Sequence, residues 1–215
     1  MKIRYLGHSC FQLVSDGGAC LITDPYTRVG YELPSGLWAD VVTVSHGHFD
    51  HNYTQAVPNG VVIAKVGEYR FNHVKITGIP CWHDEKQGAL RGNNIIYKIK
   101  MDGITLCHMG DVGEPCSAEL LEKIGDVDVL LVPVGGTYTV DAIGAKAYAD
   151  GIRSKKIIPM HYRPTDGGLD IQSAQDFLEL YDEKEIKRVP SGEIELSSAD
   201  LDNGEKIIYM ERAKS

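Results

Sequence analysis

Ser45-His46-Gly47-His48-Phe49-Asp50-His51-Asn52 sets three imidazoles and a carboxylate within six residues, directly after the short run Asp40–Ser45 (DVVTVS). A β-branched, apolar run of this kind reads as a buried strand, so the polar cluster stands where a strand leaves the core. Packing gives no reason for four such donors in one place. Imidazole nitrogen and carboxylate oxygen are the ligands that Zn2+ and related divalent ions take. In extended backbone, side chains two apart share a face, so His46 and His48 can grip one ion together. A turn after them swings Asp50 and His51 toward a second ion. A polar loop with coincidental histidines is the competing reading, and it does not account for the spacing.

Two later strand ends add donors. Gly110-Asp111 follows the run Ile104–His108, and Ile158-Pro159-Met160-His161-Tyr162 puts a histidine at the end of Lys156–Met160. Alone, a Gly-Asp pair reads as a turn and a single His as a structural group. Together with the first motif they complete a ligand set drawn from three separate strand ends.

Around these points the first half reads as strands and turns. Phe11–Val14 and Ala19–Thr23 flank Asp16-Gly17-Gly18, a hairpin signal. Val61–Val66 and Val74–Ile79 are further strands, and Asn94–Lys100 and Ile104–His108 flank Met101-Asp102-Gly103, a second hairpin. From Ser117 onward helices and strands alternate. Ser117–Ile124 predicts an amphipathic helix stopped by Gly125, Val127–Val134 an apolar strand and Asp141–Arg153 an Ala-rich helix. Lys156–Met160 is a strand, and Ile171–Tyr181 predicts a helix with Ala174, Phe177, Leu178 and Tyr181 inward. Ile194–Leu196 and Lys206–Met210 are the last strands. No stretch reads as a linker, so the expectation is a single domain, residues 1–215, of the α/β (α+β) class with two sheets covered by helices.

Composition narrows the function classes. The chain has 215 residues, 43% hydrophobic and 24% charged, enough for a sizeable core. A formal net charge of -8 argues against nucleic acid as partner. Cys10, Cys20, Cys81, Cys107 and Cys116 are odd in number, scattered and without a CxxC pair, which fits reduced thiols in a reducing compartment. Met1–His8 has no signal core, and no apolar run has bilayer length. A cytoplasmic protein with no membrane partner is expected, with homo-oligomerisation left open.

The motifs SHGHFDH, HMGDVG and IIPMHY resemble those of the metallo-β-lactamase superfamily, and within it the chain resembles the UlaG-like and YtkL-like metal-dependent hydrolases. Leu6-Gly7-His8-Ser9, Thr23-Asp24-Pro25, Arg91-Gly92-Asn93-Asn94 and Pro133-Val134-Gly135-Gly136-Thr137-Tyr138-Thr139 extend the likeness over most of the chain. The resemblance implies the αβ/βα four-layer sandwich, two mixed sheets flanked by helices, with metals at one edge. It implies that His46, His48 and a third histidine bind one ion, that Asp50, His51 and His161 bind the other, and that Asp111 bridges them. His83, in Cys81-Trp82-His83-Asp84, is preferred as the third histidine over His73, which has no motif around it.

The implied cofactor is a pair of divalent ions per chain, zinc first, with manganese, iron or nickel as alternatives. The implied function is a metal-dependent hydrolase. It uses hydroxide held between two dications on a small-molecule lactone, ester, amide or phosphodiester, with Asp50 and Asp111 as catalytic groups. A non-catalytic metal-binding or sensing module is the alternative. The superfamily's commonest true lactamases carry a cysteine where Asp111 stands. The stretch after His161 is too short for the helical substrate domain of glyoxalase II, and no insertion resembles a nuclease cap. His8, Asn94 and Tyr138 are candidate substrate contacts, with His8 equally a hydrogen-bonder behind a metal ligand, and Arg91 and Arg163 are candidate anion binders. Asp24 is expected to orient a ligand histidine, and His108 to be structural or to support a ligand from behind.

Overall fold

In this computed structural model, which describes residues 1–213, the strands in chain order are as follows. The first seven are β1 (Lys2–Gly7), β2 (Cys10–Val14), β3 (Cys20–Thr23), β4 (Val41–Thr43), β5 (Val61–Ile63), β6 (Gly67–Phe71) and β7 (Val74–Trp82). Then come β8 (Asn93–Met101), β9 (Ile104–His108), β10 (Val129–Pro133), β11 (Lys156–Met160), β12 (Ile186–Val189), β13 (Glu193–Glu195) and β14 (Ile207–Met210). They form a six-stranded sheet, β13-β1-β2-β3-β4-β5, and an eight-stranded sheet, β12-β14-β11-β10-β9-β8-β7-β6. Both are mixed, and the fold is the expected sandwich.

Alternation along the strands explains the layers. Ile3, Tyr5, Phe11, Leu13, Leu21 and Val41 join the main core, whereas Cys10, Cys20, Ile22 and Val42 face a second, smaller one. That is the two-residue period of a sheet buried on both faces. The helices are α1 (Ala118–Ile124), α2 (Ala142–Ile152) and α3 (Gln175–Leu178). They cover the eight-stranded sheet, α1 lying against β7 and α2 against β10 and α3. Ser117 and Asp141 cap the first two, accepting the Leu120 and Gly144 N–H groups. The outer face of the six-stranded sheet is closed instead by the stretch between β3 and β4, where Tyr26, Val29, Leu37 and Ala39 are buried. Pro25, Pro34 and the left-handed Gly30 and Gly36 keep that stretch from becoming a helix.

The helix expected over Ile171–Tyr181 shrinks to Gln175–Leu178. Gln172 is spent on other partners, its N–H donating to Gly135 O at 2.9 Å and its carbonyl accepting from Arg163 N–H at 2.9 Å. Ala174 then opens the helix with no side-chain cap. Its inward residues stand as expected, with Ala174, Phe177 and Leu178 buried. Three strands escape a pattern reading: β1, β6 and β12. The last two are sheet edges that expose charged residues such as Glu68, Arg70, Lys187 and Arg188, a device that discourages edge pairing and also hides the strand signal. The five cysteines are free thiols, all buried except the half-buried Cys116. Among the described residues no helix is long and apolar enough to cross a membrane.

Candidate metal centre

Strand directions bring the donors together. In the six-stranded sheet β1 and β3 both run antiparallel to β2, and β4 runs parallel to β3. In the other sheet β9, β10 and β11 are parallel, and β7 and β9 are each antiparallel to β8. The C-terminal ends of β1, β3 and β4 therefore share one sheet edge, and those of β7, β9 and β11 share one edge of the other. From these ends follow His8, Asp24, the His46–His51 loop, His83, Asp111 and His161. Open α/β sheets place ligands at the carboxyl ends of their strands for the same reason.

Asp111 is the centre of the cluster. Its Oδ2 lies 3.1 Å from His161 Nε2, 3.2 Å from His51 Nε2, 3.4 Å from His83 Nε2 and 3.9 Å from His46 Nε2. On either side are two donor groups, His46 with His48 and His83, and Asp50 with His51, His161 and His8. The ligand atoms within each lie within 4.8 Å of one another. The donor set fits divalent ions by a test internal to the protein. Nε2 of His46, His51 and His161 and Oδ1 of Asp111 are buried without a hydrogen-bond partner, a costly state unless something else satisfies them.

Protonation is arranged in the same sense. Burial, with His51 close by, pushes the His46 imidazole down to about 2, so it is neutral and has a free lone pair. Burial alone would raise the Asp111 carboxyl, but His161 and His51 hold it well below the usual carboxylate range. Burial opposes charge on His51 as well, yet the Asp111 and Asp24 carboxylates raise it well above its ordinary value. The carboxylates thus draw positive charge to the His51 ring, and metal ions compete with protons for such a lone pair.

Behind the donors lies a layer of supports. Asp24 Oδ2 sits 2.8 Å from His51 Nδ1 and accepts from Ser45 Oγ at 2.5 Å, and that hydroxyl is 3.0 Å from His46 Nδ1. One buried carboxylate thus fixes the rings of two histidines, turning their Nε2 atoms toward Asp111. The Asp24 role matches expectation; the Ser45 relay was missed, although a serine directly before the HxHxDH motif was its signal. His8, Asp24 and His161 all have left-handed backbone, with φ of 53°, 38° and 51°. Such strain persists where surroundings over-determine it, and here His161 N–H donates to His8 O at 2.7 Å. His108 is structural as expected. Its Nε2 lies 2.8 Å from Ser9 O, leaving Nδ1 to accept the Gly110 N–H.

Of the three candidate substrate contacts, Asn94 is corrected and His8 takes the second of its two readings. Asn94 is fully buried and its amide is spent: it donates to Cys81 Sγ and Met109 O and accepts the Asp111 N–H at 2.9 Å. It shapes the backbone under Asp111 and has nothing left for a substrate. His8 is 1% exposed and lies 3.2 Å from Asp50 Oδ2, behind that carboxylate. Tyr138 stays on the surface, 44% exposed beneath the Arg91 guanidinium. Arg163 is paired with Asp170 at 3.7 Å. Of the competing histidines, His83 is in the cluster, and His73 lies exposed in the turn between β6 and β7.

The model of the beta-lactamase superfamily domain matches residues 2–161, an interval holding every donor named above. The chain belongs to the beta-lactamase superfamily. Among its relatives, a metal-dependent hydrolase of Carboxydothermus hydrogenoformans is 32% identical over 192 residues, covering 75% of this chain and 84% of that protein. A crystal structure from Thermotoga maritima, assigned to the Zn-dependent hydrolases of the metallo-beta-lactamase superfamily, superposes with a TM-score of 0.79 at 38% identity over 97% of both chains. A metallo hydrolase of Ignicoccus hospitalis shares the fold at 21% identity, with a TM-score of 0.67 over 99% of this chain and 96% of that one. This beta-lactamase superfamily member thus stands among metal-dependent hydrolases.

Proposed function

We propose that this chain hydrolyses a small molecule, a lactone, ester, amide or phosphodiester, at a centre of two divalent ions, zinc first among them. The observation that carries the reading is the meeting of two donor groups at Asp111, with buried ring nitrogens on both sides that have no other partner. His46, His48 and His83 would hold one ion, Asp50, His51 and His161 the other, with Asp111 shared. When bound, such a pair supplies Lewis acidity and brings the pKa of coordinated water toward neutrality. The protein's part is orientation. Asp24 and Ser45 keep the His51 and His46 rings turned inward, Asn94 holds the Asp111 backbone, and His8 fixes one oxygen of Asp50. Of the three carboxylates Asp50, Asp111 and Asp24, at 9%, 2% and 0% exposure, Asp50 is the one nearest solvent. It is therefore the group placed to take a proton from attacking water.

Asp111→Asn removes the shared negative charge and nearly keeps the shape. It is expected to lower hydrolysis by at least about 100-fold, roughly 2.7 kcal/mol of transition-state stabilisation, with circular dichroism unchanged. Elemental analysis of the wild type should find about two ions per chain. A metal-replete protein inactive on all four substrate classes would overturn the hydrolase reading in favour of a metal-sensing module.

A further inference from the structure

Asp84, the residue after His83, organises the loop that follows. Its carboxylate is buried and accepts four backbone N–H groups, from Lys86, Gly88, Leu90 and Arg91, at 2.7 to 3.0 Å. The loop closes on itself where His83 N–H donates to Gly92 O at 3.1 Å. Arg91 is thereby tied at its backbone to the strand end that carries His83. Its side chain reaches a different loop, donating from Nη2 to Thr137 O at 3.2 Å and lying 5.5 Å over the Tyr138 ring. That second loop begins at Gly135, packed against the His161 carbonyl, and returns through Val140 N–H to Val112 O at 2.9 Å, next to Asp111. Both anchors of Arg91 therefore belong to loops continuous with or packed on the donor-bearing strand ends.

The guanidinium is held but not satisfied. One Nη donates to Thr137, out of five N–H donors in a fixed planar fork. Among the described residues no carboxylate pairs with it, whereas Arg163, the other arginine after a donor, is paired with Asp170. In a chain of net charge -8, an unpaired, half-exposed arginine braced on loops that leave the donor-bearing strand ends is preorganised for an oxyanion. Stacking on Tyr138 lowers the rotamer entropy that binding would otherwise cost.

We propose that Arg91, braced on Tyr138 and Thr137, binds an oxyanion of the substrate, a carboxylate or phosphate remote from the bond that is cleaved. The inference rests on the hydrolase reading and narrows it to negatively charged small molecules. Tyr138 would then serve as the platform for Arg91, which is how this exposed aromatic would act on the substrate.

The test compares p-nitrophenyl butyrate with mono-p-nitrophenyl glutarate, an ester of similar length ending in a carboxylate, on metal-loaded wild type, Arg91→Ala and Arg91→Lys. Arg91→Ala should raise KM for the glutarate ester at least about tenfold more than KM for the butyrate, with kcat less affected, and Arg91→Lys should recover part of the loss. In parallel, calorimetric titrations with glutarate and with inorganic phosphate should show binding weakened at least about tenfold in Arg91→Ala, and the better-bound anion identifies the group. Equal losses on both esters would mean that Arg91 only ties two loops, and the proposal would fall. If the wild type turns over neither ester, the hydrolase reading fails separately. The titrations then decide alone: unchanged anion affinity in Arg91→Ala overturns the proposal, and weakened affinity sustains it.

Discussion

His83 and His73 lie ten residues apart in sequence and in unlike surroundings: one buried 3.4 Å from Asp111, the other exposed in a hairpin turn. His83→Ala should lose one bound metal ion in elemental analysis while His73→Ala keeps its full complement; the reverse pattern would reassign the site. Asp24 touches neither ion in the proposed arrangement, yet it positions two of the rings that would. Asp24→Ala is therefore expected to weaken metal affinity by about 10- to 100-fold, read by competition with a chromophoric chelator. An unchanged affinity would mean that the His46 and His51 rings are held by packing alone. The motif made His46, His48, Asp50 and His51 legible, since four donors crowded at one strand end are poor packing groups and good metal ligands. Asn94 was misread because a buried amide that braces a backbone and one that meets a ligand look alike until its partners are known.

At the level of elements, the short turn from β9 into Asp111 is tightly constrained. Gly110 adopts φ +53°, and a Cβ there would lie 2.6 Å from Ser45 Cβ and collide with Asn94 Oδ1. Gly110→Ala is expected to cost at least about 2 kcal/mol of stability, combining backbone strain with overpacking, and to lose metal as well. Asp141→Ala offers the contrast. It removes the cap of α2 away from the donors and should cost about 1 kcal/mol in a denaturant titration with metal content intact. Metal loss in Asp141→Ala, or its retention in Gly110→Ala, would contradict this division between cap and site. β8 and α2 were legible because burial repeats at their own period, and β10 because an unbroken apolar run marks a strand buried on both faces. The edge strands β6 and β12 were not, since half of their surface is solvent and charge there serves solubility.

For the whole molecule, the centre joins two sheets: His8, Asp24 and the His46–His51 loop come from one, His83, Asp111 and His161 from the other. Ions bound across that seam stabilise the folded chain by mass action, about 2.7 kcal/mol when free metal is 100-fold above its Kd. At this size a strong chelator should lower Tm by roughly 5 to 10 °C per ion, and re-addition of zinc should restore it. A Tm indifferent to chelation would mean that no ion bridges the sheets. The sequence by itself determined the donor types, the strand ends that carry the His46–His51 motif, Asp111 and His161, and the fold class, because coordination chemistry and binary patterning are local properties written residue by residue. Only the tertiary structure decided that His83 and not His73 joins Asp111, that His8 and Asn94 face inward, and that Arg91 leans across to Tyr138. Those are contacts between residues 17 or more positions apart, and their partners are chosen by strand direction and sheet order, which no local pattern encodes.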